Sequence, residues 1–313
     1  MLYVIAGATA SGKTAVAIEL ARLTDGEVVS ADSMQVYRGL DIGTAKPTLE
    51  ERGDIPHHLL DVVDPNESFS AAQYQSMANA AISDIRARGR TPILAGGTGF
   101  YINSVVYGTE FAGEESVQNA AENTLREQYA TLAMEKGAEH LHQRLTERDP
   151  AAAQAIHPNN IKRVARALAF CEVTDTLFSA HNSDQRGKRN QSPPPDVRFV
   201  VLTHPRDALY ARINTRTDQM FCSGFVQEVQ DLLAAGYAPD LPAMQAIGYR
   251  EVTRAIHAGI DPQSQLVRDE IAQATRRYAK RQTTWFNNSS PHAVYVDASS
   301  GGAPSIAHKI LHI

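Results

Sequence analysis

Short apolar runs alternate with helical patterns over the first hundred residues. The runs LYVIAGA, EVVSAD and TPILAGG have the length of buried strands, and two amphipathic stretches, KTAVAIELARLTD and AAQYQSMANAAISDIRARG, separate them. This alternation is typical of βαβ units that form a parallel sheet. The pattern predicts an α/β fold with a doubly wound parallel sheet. Ligands of such sheets bind beyond the carboxyl ends of the strands, which here are Gly7, Asp32 and Gly96-Gly97.

A different pattern occupies the middle of the chain. From Phe111 to Gln191 the pattern is helical with charged faces and no strand-like run, and it ends in the stretch SPPPD. A new apolar run, VRFVVLT, begins at Val197. Four amphipathic helices follow it, and a short strand-like run, AVYVDA, closes the chain. We therefore expect a core of residues 1–110 and 192–313 and an inserted helical subdomain of residues 111–191.

The composition is that of a soluble globular protein. Of the 313 residues, 43% are hydrophobic and 21% are charged, which is enough apolar material for a substantial core. No run approaches the roughly 18 consecutive apolar residues of a membrane helix, and the residues after Met1 lack the pattern of a secretory leader, so we expect no secretion. Cys171 and Cys222 lie in helical patterns without metal-binding spacing, so we expect buried thiols in a reducing cytoplasm and no membrane association.

The charge pattern leaves nucleic acid open as a partner. A net charge of −5 argues on average against binding a polyanion, because phosphates are neutralised by lysine and arginine. The acidic excess, however, lies within the first 110 residues. Basic clusters occur in the balanced remainder at residues 162–166, 186–189 and 276–281. Such clusters can form local RNA-binding surfaces on an acidic protein.

The sequence GATASGKT is the strongest chemical signal. It matches the phosphate-binding loop (P-loop) pattern GxxxxGKT and stands between the first predicted strand and the first predicted helix. In this context backbone N–H groups and the helix N-terminus hold phosphates, Lys13 reaches the terminal phosphates, and the Thr14 hydroxyl can bind Mg²⁺. The predicted binding site for a di- or triphosphate comprises Gly7, Ala8, Thr9, Ala10, Ser11, Gly12, Lys13 and Thr14.

Asp32 is the nearest carboxylate at a strand end. The third strand, TPILAGG, carries no acid where most ATPases and GTPases have one that holds a metal. Asp32 can serve Mg²⁺ or act as a general base, and the alternative is an aspartate that caps a turn. Residues 96–99, GGTG, fit either close approach of the backbone to a ligand or a tight strand-to-helix turn.

Three further patterns each allow two interpretations. His57 and His58 are adjacent, and because neighbouring side chains of an extended segment point apart, an ordered loop or strand is favoured over a metal site. Arg212 and Arg216 stand one helical turn apart, and spacing alone favours a solvated face over a clamp for a polyanion. The cations and aromatics of YAKRQTTWF fit either RNA binding or an amphipathic helix end.

Seven blocks of the sequence together resemble the tRNA dimethylallyltransferases, also called isopentenyl-tRNA transferases. In chain order they are GATASGKT, DSMQVYRGLDIGTAKP, PHHLLDVVDP, GGTGFY, RINTRTDQM, QAIGYRE and AKRQTTWF. A P-loop alone is shared by many proteins, but the DSxQVY, IGYRE and KRQxTW blocks in this order are specific to the family. The resemblance covers nearly the whole chain. It implies a P-loop NTPase-like fold in the short bacterial form, without a zinc module.

The resemblance also implies a reaction. A dimethylallyl group passes from dimethylallyl diphosphate to N6 of the adenine 3′-adjacent to the anticodon, in tRNAs that read codons beginning with U. Asp32 matches the general base, and Thr98 matches a residue that contacts the target nucleotide at the reaction centre. Lys13, Arg216 and Mg²⁺ held by Thr14 would stabilise the diphosphate leaving group. The adenine must leave its stack to enter such a site.

By the same matching, tRNA contacts are implied in several separate segments. Ser33 and Gln35 are the expected readers of base edges. The full set is Asp32, Ser33, Met34, Gln35 and Thr98; Arg126, Lys162, Arg163 and Arg166 in the insertion; Gln245, Ala246, Ile247, Gly248, Tyr249 and Arg250; and Lys280, Arg281, Gln282, Thr283, Thr284 and Trp285. The expected partners are dimethylallyl diphosphate and the tRNA anticodon stem-loop, Mg²⁺ is the expected cofactor, and we expect a cytoplasmic monomer.

Two positions depart from the family pattern, and two other functions stay open. Ala8 replaces a common proline, which loosens the loop without removing an amide, and Asn287 replaces a common arginine that contacts phosphate. A small-molecule or nucleotide kinase with ATP as donor also fits the P-loop, DS and GGTG segments. A non-catalytic RNA-binding module with a vestigial P-loop is disfavoured by the joint presence of Lys13, Thr14 and Asp32.

Overall fold

A computed structural model describes residues 1–109 and 116–313. The strands are β1 (Leu2–Gly7), β2 (Gly26–Ser30), β3 (His57–His58), β4 (Thr91–Gly96), β5 (Val197–Thr203) and β6 (Val294–Asp297). The helices are α1 (Lys13–Thr24), α2 (Leu49–Arg52), α3 (Ala71–Ala87), α4 (Gly99–Tyr107), α5 (Ser116–Lys136), α6 (Ala138–Arg148), α7 (Pro150–Ala155), α8 (Ile161–Thr174), α9 (Phe178–Arg189), α10 (Arg206–Cys222), α11 (Phe225–Ala234), α12 (Tyr249–His257), α13 (Gln265–Ser289) and α14 (Ala303–Leu311). Within the described ranges, no helix combines the length and the apolar character needed to cross a bilayer.

The chain divides into two units. One consists of Met1–Gly108 and Ser192–Ile313, and the other consists of Thr109–Gln191. The predicted boundary between residues 110 and 111 lies outside the described residues. The second unit contains α5 to α9, packed around a core of its own that includes Leu141, Leu145 and Leu168.

All six strands of the first unit run parallel in one sheet, in the order β3-β2-β4-β1-β5-β6. Alternation along β1 builds two hydrophobic layers, because successive side chains of a strand point to opposite faces. Val4 packs in the layer that contains α3 and α4, and Ile5 packs in the layer that contains α1 and α14. The predicted α/β fold with a doubly wound parallel sheet is therefore confirmed.

A third layer forms beside the carboxyl ends of the strands. There α10 to α13 pack against the long connection that follows β2. Phe225 of α11 and Tyr249 of α12 are fully buried, and they share one core with Val36 and Leu40 of that connection. The arrangement holds residues 33–46 next to the P-loop, so helices from the end of the chain form part of the same sheet edge.

The histidine pair lies in a strand, as the sequence predicts. His57 and His58 form β3, which pairs with β2 at the edge of the sheet. The Nε2 atom of His58 lies 2.7 Å from Oε2 of the buried Glu27, and Nδ1 of His57 lies 2.9 Å from the carbonyl oxygen of Ile55. Both side chains therefore have structural partners within the sheet edge.

Two expectations were wrong. Cys171 is buried, but Cys222 is exposed, because it is the last residue of α10 and the neighbouring Phe221 takes the core position. The strand β6 does not close the chain, since α14 follows it and packs Ile306 and Ile310 into the layer beneath Ile5. That helix spans only nine residues after a glycine pair, which is too short for its periodicity to be distinct.

Candidate active site

The P-loop joins β1 to α1, as the sequence predicts. Gly12 directly precedes α1 with φ of 86°, in the left-handed region where a residue with Cβ is strained. The first turn of α1 therefore presents its N–H groups and the positive end of its dipole to the loop. Lys13 Nζ donates to the carbonyl oxygen of Ala8 at 2.7 Å, so its ammonium lies folded over the loop. Ser11 Oγ is buried and has no hydrogen-bond partner among the described residues.

The three strand ends meet at one cavity of about 400 Å³. It is lined by the P-loop, by the residues after β2, by the end of β4 and by α10, α12 and α13. The predicted site residues that line it are Thr9, Ala10, Lys13, Thr14, Asp32, Ser33, Met34, Gln35, Arg216, Gln245, Ala246, Ile247, Tyr249, Arg250, Arg281 and Gln282. Residues far apart in the sequence thus share one site.

The cavity lining includes one carboxylate, that of Asp32, and four cations, of which Lys13 and Arg216 lie beside the P-loop. Burial lowers the pKa of Lys13 to about 8, with the negative charge of Asp32 opposing the shift and Arg216 adding to it. Burial also lowers the pKa of Arg216, and Asp32 again opposes the shift. Arg216 donates to Thr9 Oγ1 and to the carbonyl oxygen of Thr44, both at 3.3 Å. The two partly desolvated cations favour an anionic ligand beside the P-loop.

The arginine pair of α10 divides between the two interpretations. Arg216 lies within the site, so the interpretation of a solvated side chain, which spacing alone favours, is wrong for this residue. Arg212 is exposed, but its Nε donates to the carbonyl oxygen of Ala10 at 2.7 Å. The side chains of one helix face therefore reach the P-loop at two points.

Asp32 is held by a turn and faces the cavity at the same time. Its Oδ1 accepts a hydrogen bond from the backbone N–H of Met34 at 2.9 Å. Thr98 accepts from the backbone N–H of Ser33 at 2.9 Å and donates to the Ser33 hydroxyl at 3.3 Å. Asp32 therefore caps a turn and also lies at the site, so the two interpretations of this residue do not exclude each other. Thr98 does not line the cavity but joins the residues after β4 to the Asp32 segment.

The GGTG segment is a strand-to-helix turn. The strand β4 ends at Gly96, and α4 begins at Gly99. A Cβ on Gly99 would lie 2.1 Å from the ring of Trp285, so this position requires glycine for close packing. The turn thereby brings α13 against the carboxyl end of β4.

Two predicted tRNA contacts use their amide groups within the protein. Gln282 is buried, and its Oε1 accepts from the N–H of Thr9 at 2.8 Å while its Nε2 donates to the carbonyl oxygen of Gly97 at 2.9 Å. Gln35 Nε2 lies 3.3 Å from the carbonyl oxygen of Thr44 and 3.2 Å from that of Ala45. Both amides therefore brace loops of the site.

Four other predicted tRNA-binding residues of α13 lie on its outer side, and Trp285 packs within the protein. Lys280, Arg281, Thr283 and Thr284 are exposed, and Arg281 also borders the cavity, with its guanidinium 5.6 Å from the ring centroid of Tyr278. This side of α13 combines cations with hydroxyl groups, which suits contacts with a phosphate backbone. Trp285 packs edge-on against Phe286, with 5.2 Å between ring centroids.

Three predicted cations of the second unit lie together on α8. Lys162, Arg163 and Arg166 are on its exposed side. Partial desolvation lowers the pKa of Arg166 even though the residue is exposed; the charges of Arg126 and Arg163 add to the shift, and that of Glu122 opposes it. Arg126 on α5 forms an ion pair with Glu122. The cluster has the charge expected of an anion-binding surface.

Sequence reasoning missed part of the cavity wall. The wall includes Ile213 and Met220 of α10 and Ile271, Thr275 and Tyr278 of α13. Residues 271, 275, 278 and 282 recur at helical spacing, which was the available signal for one face of α13. Burial raises the pKa of Tyr278 to about 12, so its phenol stays protonated at neutral pH.

Comparison with known proteins identifies relatives over nearly the full length. A family model described as IPP transferase matches residues 35–289. A tRNA dimethylallyltransferase of Exiguobacterium sp. is 48% identical over 287 residues, covering 92% of this chain and 87% of its own. Another from Desulfitobacterium hafniense is 43% identical over 314 residues, covering 99% of this chain and 96% of its own.

Solved structures agree with this similarity. A tRNA delta(2)-isopentenylpyrophosphate transferase from Staphylococcus epidermidis is 38% identical with a TM-score of 0.70, over 99% of this chain and 97% of that one. A eukaryotic dimethylallyltransferase acting on tRNA is 27% identical with a TM-score of 0.78, over 96% of this chain and 74% of that one. Together with the matched family model, these relatives show that the chain belongs to the IPP transferase family.

Proposed function

We propose that this protein transfers a dimethylallyl group from dimethylallyl diphosphate to N6 of the adenine 3′-adjacent to the anticodon, in tRNAs that read codons beginning with U. The coarser assignment, a tRNA dimethylallyltransferase, is supported by relatives of that name at 43% and 48% identity. The observation that carries the finer proposal is the cavity, which joins a P-loop, four cations, one carboxylate and several apolar side chains.

The diphosphate end of the substrate suits the P-loop. Lys13 and Arg216 supply positive charge, and the Ser11 hydroxyl supplies a buried polar atom that has no hydrogen-bond partner in the described part of the chain. These groups stabilise the negative charge that builds up on the departing diphosphate.

Mg²⁺ fits the same end of the cavity. The Thr14 hydroxyl lines the cavity and is a hard oxygen ligand, and Mg²⁺ is usually bound through one or two protein oxygens together with substrate phosphates. When bound, the ion neutralises charge on the diphosphate. Thr14 is the residue that would hold it, together with diphosphate oxygens, which leaves the Asp32 carboxylate free to accept a proton.

The isoprenoid end of the substrate suits the apolar side chains of the cavity. Five apolar side chains line the cavity together with the charged groups, namely Met34, Ile213, Met220, Ile247 and Ile271. A five-carbon chain buried there gains roughly 25 cal/mol per Å² of apolar surface removed from water. The adenosine end of a phosphoryl donor such as ATP carries hydrogen-bonding groups that aliphatic side chains do not satisfy, and this favours the prenyl donor over the kinase alternative.

The chemical step uses Asp32 as the general base. The N6 nitrogen of adenine attacks the allylic carbon, a C–N bond forms, and the C–O bond to the diphosphate breaks with its electron pair leaving on oxygen. The N6 proton passes to Asp32, whose carboxylate is held by the N–H of Met34. Thr98, bonded to Ser33, fixes the position of this segment beside the target nucleotide.

The tRNA must present a flipped adenine to this cavity. Arg250 and Arg281 at its border, the exposed cations of α13, and the α8 cluster are the proposed contacts with the anticodon stem-loop. We further propose that the protein acts as a monomer in the cytoplasm, where its RNA substrate is found.

The proposal is tested by incubating the protein with Mg²⁺, dimethylallyl diphosphate and an anticodon stem-loop, followed by mass spectrometry of the nucleosides. Asp32→Asn should lower kcat by about 10²–10⁴-fold while changing the Kd for the stem-loop less than twofold. Full turnover by the variant would remove Asp32 from the mechanism. Formation of ADP from Mg·ATP without any prenylated adenine would replace the proposal with the kinase alternative.

A further inference from the structure

The second half of the DSMQVYRGLDIGTAKP block has no role in the reaction described above. Residues 41–46 form a tight loop in the connection after β2, and the side chain of Glu228 binds the backbone of its first three residues. Glu228 of α11 accepts hydrogen bonds from three consecutive backbone N–H groups, those of Asp41 at 3.1 Å, Ile42 at 2.7 Å and Gly43 at 3.1 Å. Consecutive N–H groups that converge in this way form an anion-binding nest, and here the anion is a carboxylate of the protein itself.

The carboxylate is fixed from the other side as well. The phenol of Tyr249 donates to Glu228 Oε1 at 2.6 Å, and Tyr249 is fully buried. A Cβ on Gly43 would lie 2.4 Å from the rings of both Phe225 and Tyr249, so the loop is pressed directly against these two helices. Lys46 secures the end of the loop, donating to Tyr37 O at 2.9 Å and to Asp41 Oδ1 at 2.6 Å. The loop therefore has a single well-defined position.

The opposite edge of this loop faces the cavity. The Thr44 carbonyl accepts from Arg216, and the Thr44 and Ala45 carbonyls accept from the amide of Gln35. Arg216 in turn contacts Thr9 of the P-loop. A chain of hydrogen bonds thus runs from Glu228 through the loop backbone to one proposed diphosphate-binding cation and one proposed tRNA-reading side chain.

We propose that Glu228 is a positioning residue that sets Arg216 for the diphosphate and Gln35 for the tRNA through the backbone of residues 41–45. This inference rests on the proposed function. Glu228 itself touches neither substrate. Its removal leaves three N–H groups without their acceptor, so the loop shifts and its two carbonyls no longer hold Arg216 and Gln35.

The test is Glu228→Gln, which keeps the size of the side chain but turns one acceptor into a donor that faces N–H or O–H groups. Binding of inorganic diphosphate with Mg²⁺, measured by calorimetry, should weaken about tenfold, which corresponds to about 1.4 kcal/mol. The matched control is Asp231→Asn on the same helix, whose carboxylate bonds Gln227 at 2.8 Å. The control should bind diphosphate within twofold of the unmodified protein.

A double-mutant cycle separates positioning from general destabilisation. If Glu228 acts through Arg216, then Glu228→Gln combined with Arg216→Ala should bind diphosphate no more weakly than Arg216→Ala alone. Full additivity, or unchanged binding by Glu228→Gln, would overturn the inference. If Glu228→Gln fails to fold, the deciding variant is Tyr249→Phe, which removes only the hydrogen bond from the phenol to Glu228. This variant should bind diphosphate about threefold more weakly than the unmodified protein. Binding within 1.5-fold of the unmodified protein would overturn the inference.

The same samples distinguish this inference from the proposed function. Dimethylallyl transfer by the unmodified protein tests the function, whereas binding of inorganic diphosphate requires no transfer. Absent transfer with the expected binding pattern would reject the function and retain the positioning role. Normal transfer by the unmodified protein, together with unchanged diphosphate binding by Glu228→Gln, would retain the function and reject the positioning role.

Discussion

Replacement of Gln282 tests whether this side chain supports the protein or reads RNA. In the structure its amide joins the N–H of Thr9 in the P-loop to the carbonyl oxygen of Gly97 after β4, at 2.8 and 2.9 Å. The side chain is 6% exposed. Gln282→Ala therefore leaves a partly buried donor, the N–H of Thr9, and a buried acceptor, the carbonyl oxygen of Gly97, without this partner. Each such group costs about 1–3 kcal/mol, so the free energy of unfolding should fall by about 2–4 kcal/mol after partial rescue by water.

That loss is large enough to measure in a melting experiment. For a unit of this size, each kcal/mol shifts Tm by about 2–4 °C, which gives an expected drop of about 4–16 °C. The KM for dimethylallyl diphosphate should also rise, since the Thr9 backbone loses its anchor. The matched control is Gln273→Ala, an exposed glutamine on the same helix, which should melt within about 1 °C of the unmodified protein. If Gln282→Ala melts like this control and instead loses only affinity for the stem-loop, the bracing role is refuted.

Three further predictions concern affinity and pH. Arg281→Ala should weaken stem-loop binding and reduce the slope of log K against log salt by about 1, measured by fluorescence anisotropy; an unchanged slope would place Arg281 outside the interface. Gly99→Ala should displace the ring of Trp285, lower Tm and weaken stem-loop binding. The control Gly187→Ala, where an added methyl meets no described atom within 4 Å, should change neither Tm nor stem-loop binding. Because the pKa of Lys13 is lowered to about 8, its ammonium is protonated below that pH and lost as the pH rises through it, so the KM for dimethylallyl diphosphate should increase above pH 8; a flat KM up to pH 9.5 would contradict this assignment.

The parts of the site that the sequence predicts are local. A strand, a glycine-rich loop and a helix follow one another in GATASGKT, so the geometry of the P-loop depends on neighbours in the chain. Asp32 follows a strand that runs parallel to β1, and strand ends in such a sheet share one edge. These short-range rules place Lys13 and Asp32 at one cavity without knowledge of the remaining fold.

The parts that sequence reasoning missed depend on distant packing. Thr9 and Gln282 are 273 positions apart, and an amide among cations fits RNA binding as well as it fits a brace between loops. Only the packing of α13 against the P-loop distinguishes the two roles. Likewise, nothing near Glu228 in the sequence indicates that three N–H groups from residues 41–43 converge on it.

The strand order has a consequence for synthesis on the ribosome. One side of β1 pairs with β4, but its other side pairs with β5, which follows roughly a hundred residues later in the chain. At about 5–20 residues per second, about 5–20 s pass between the synthesis of β4 and that of β5, and throughout this time that edge of β1 has no partner strand. During this interval the whole helical insertion emerges and can acquire its own core, so translation completes the second unit before the sheet that carries the P-loop.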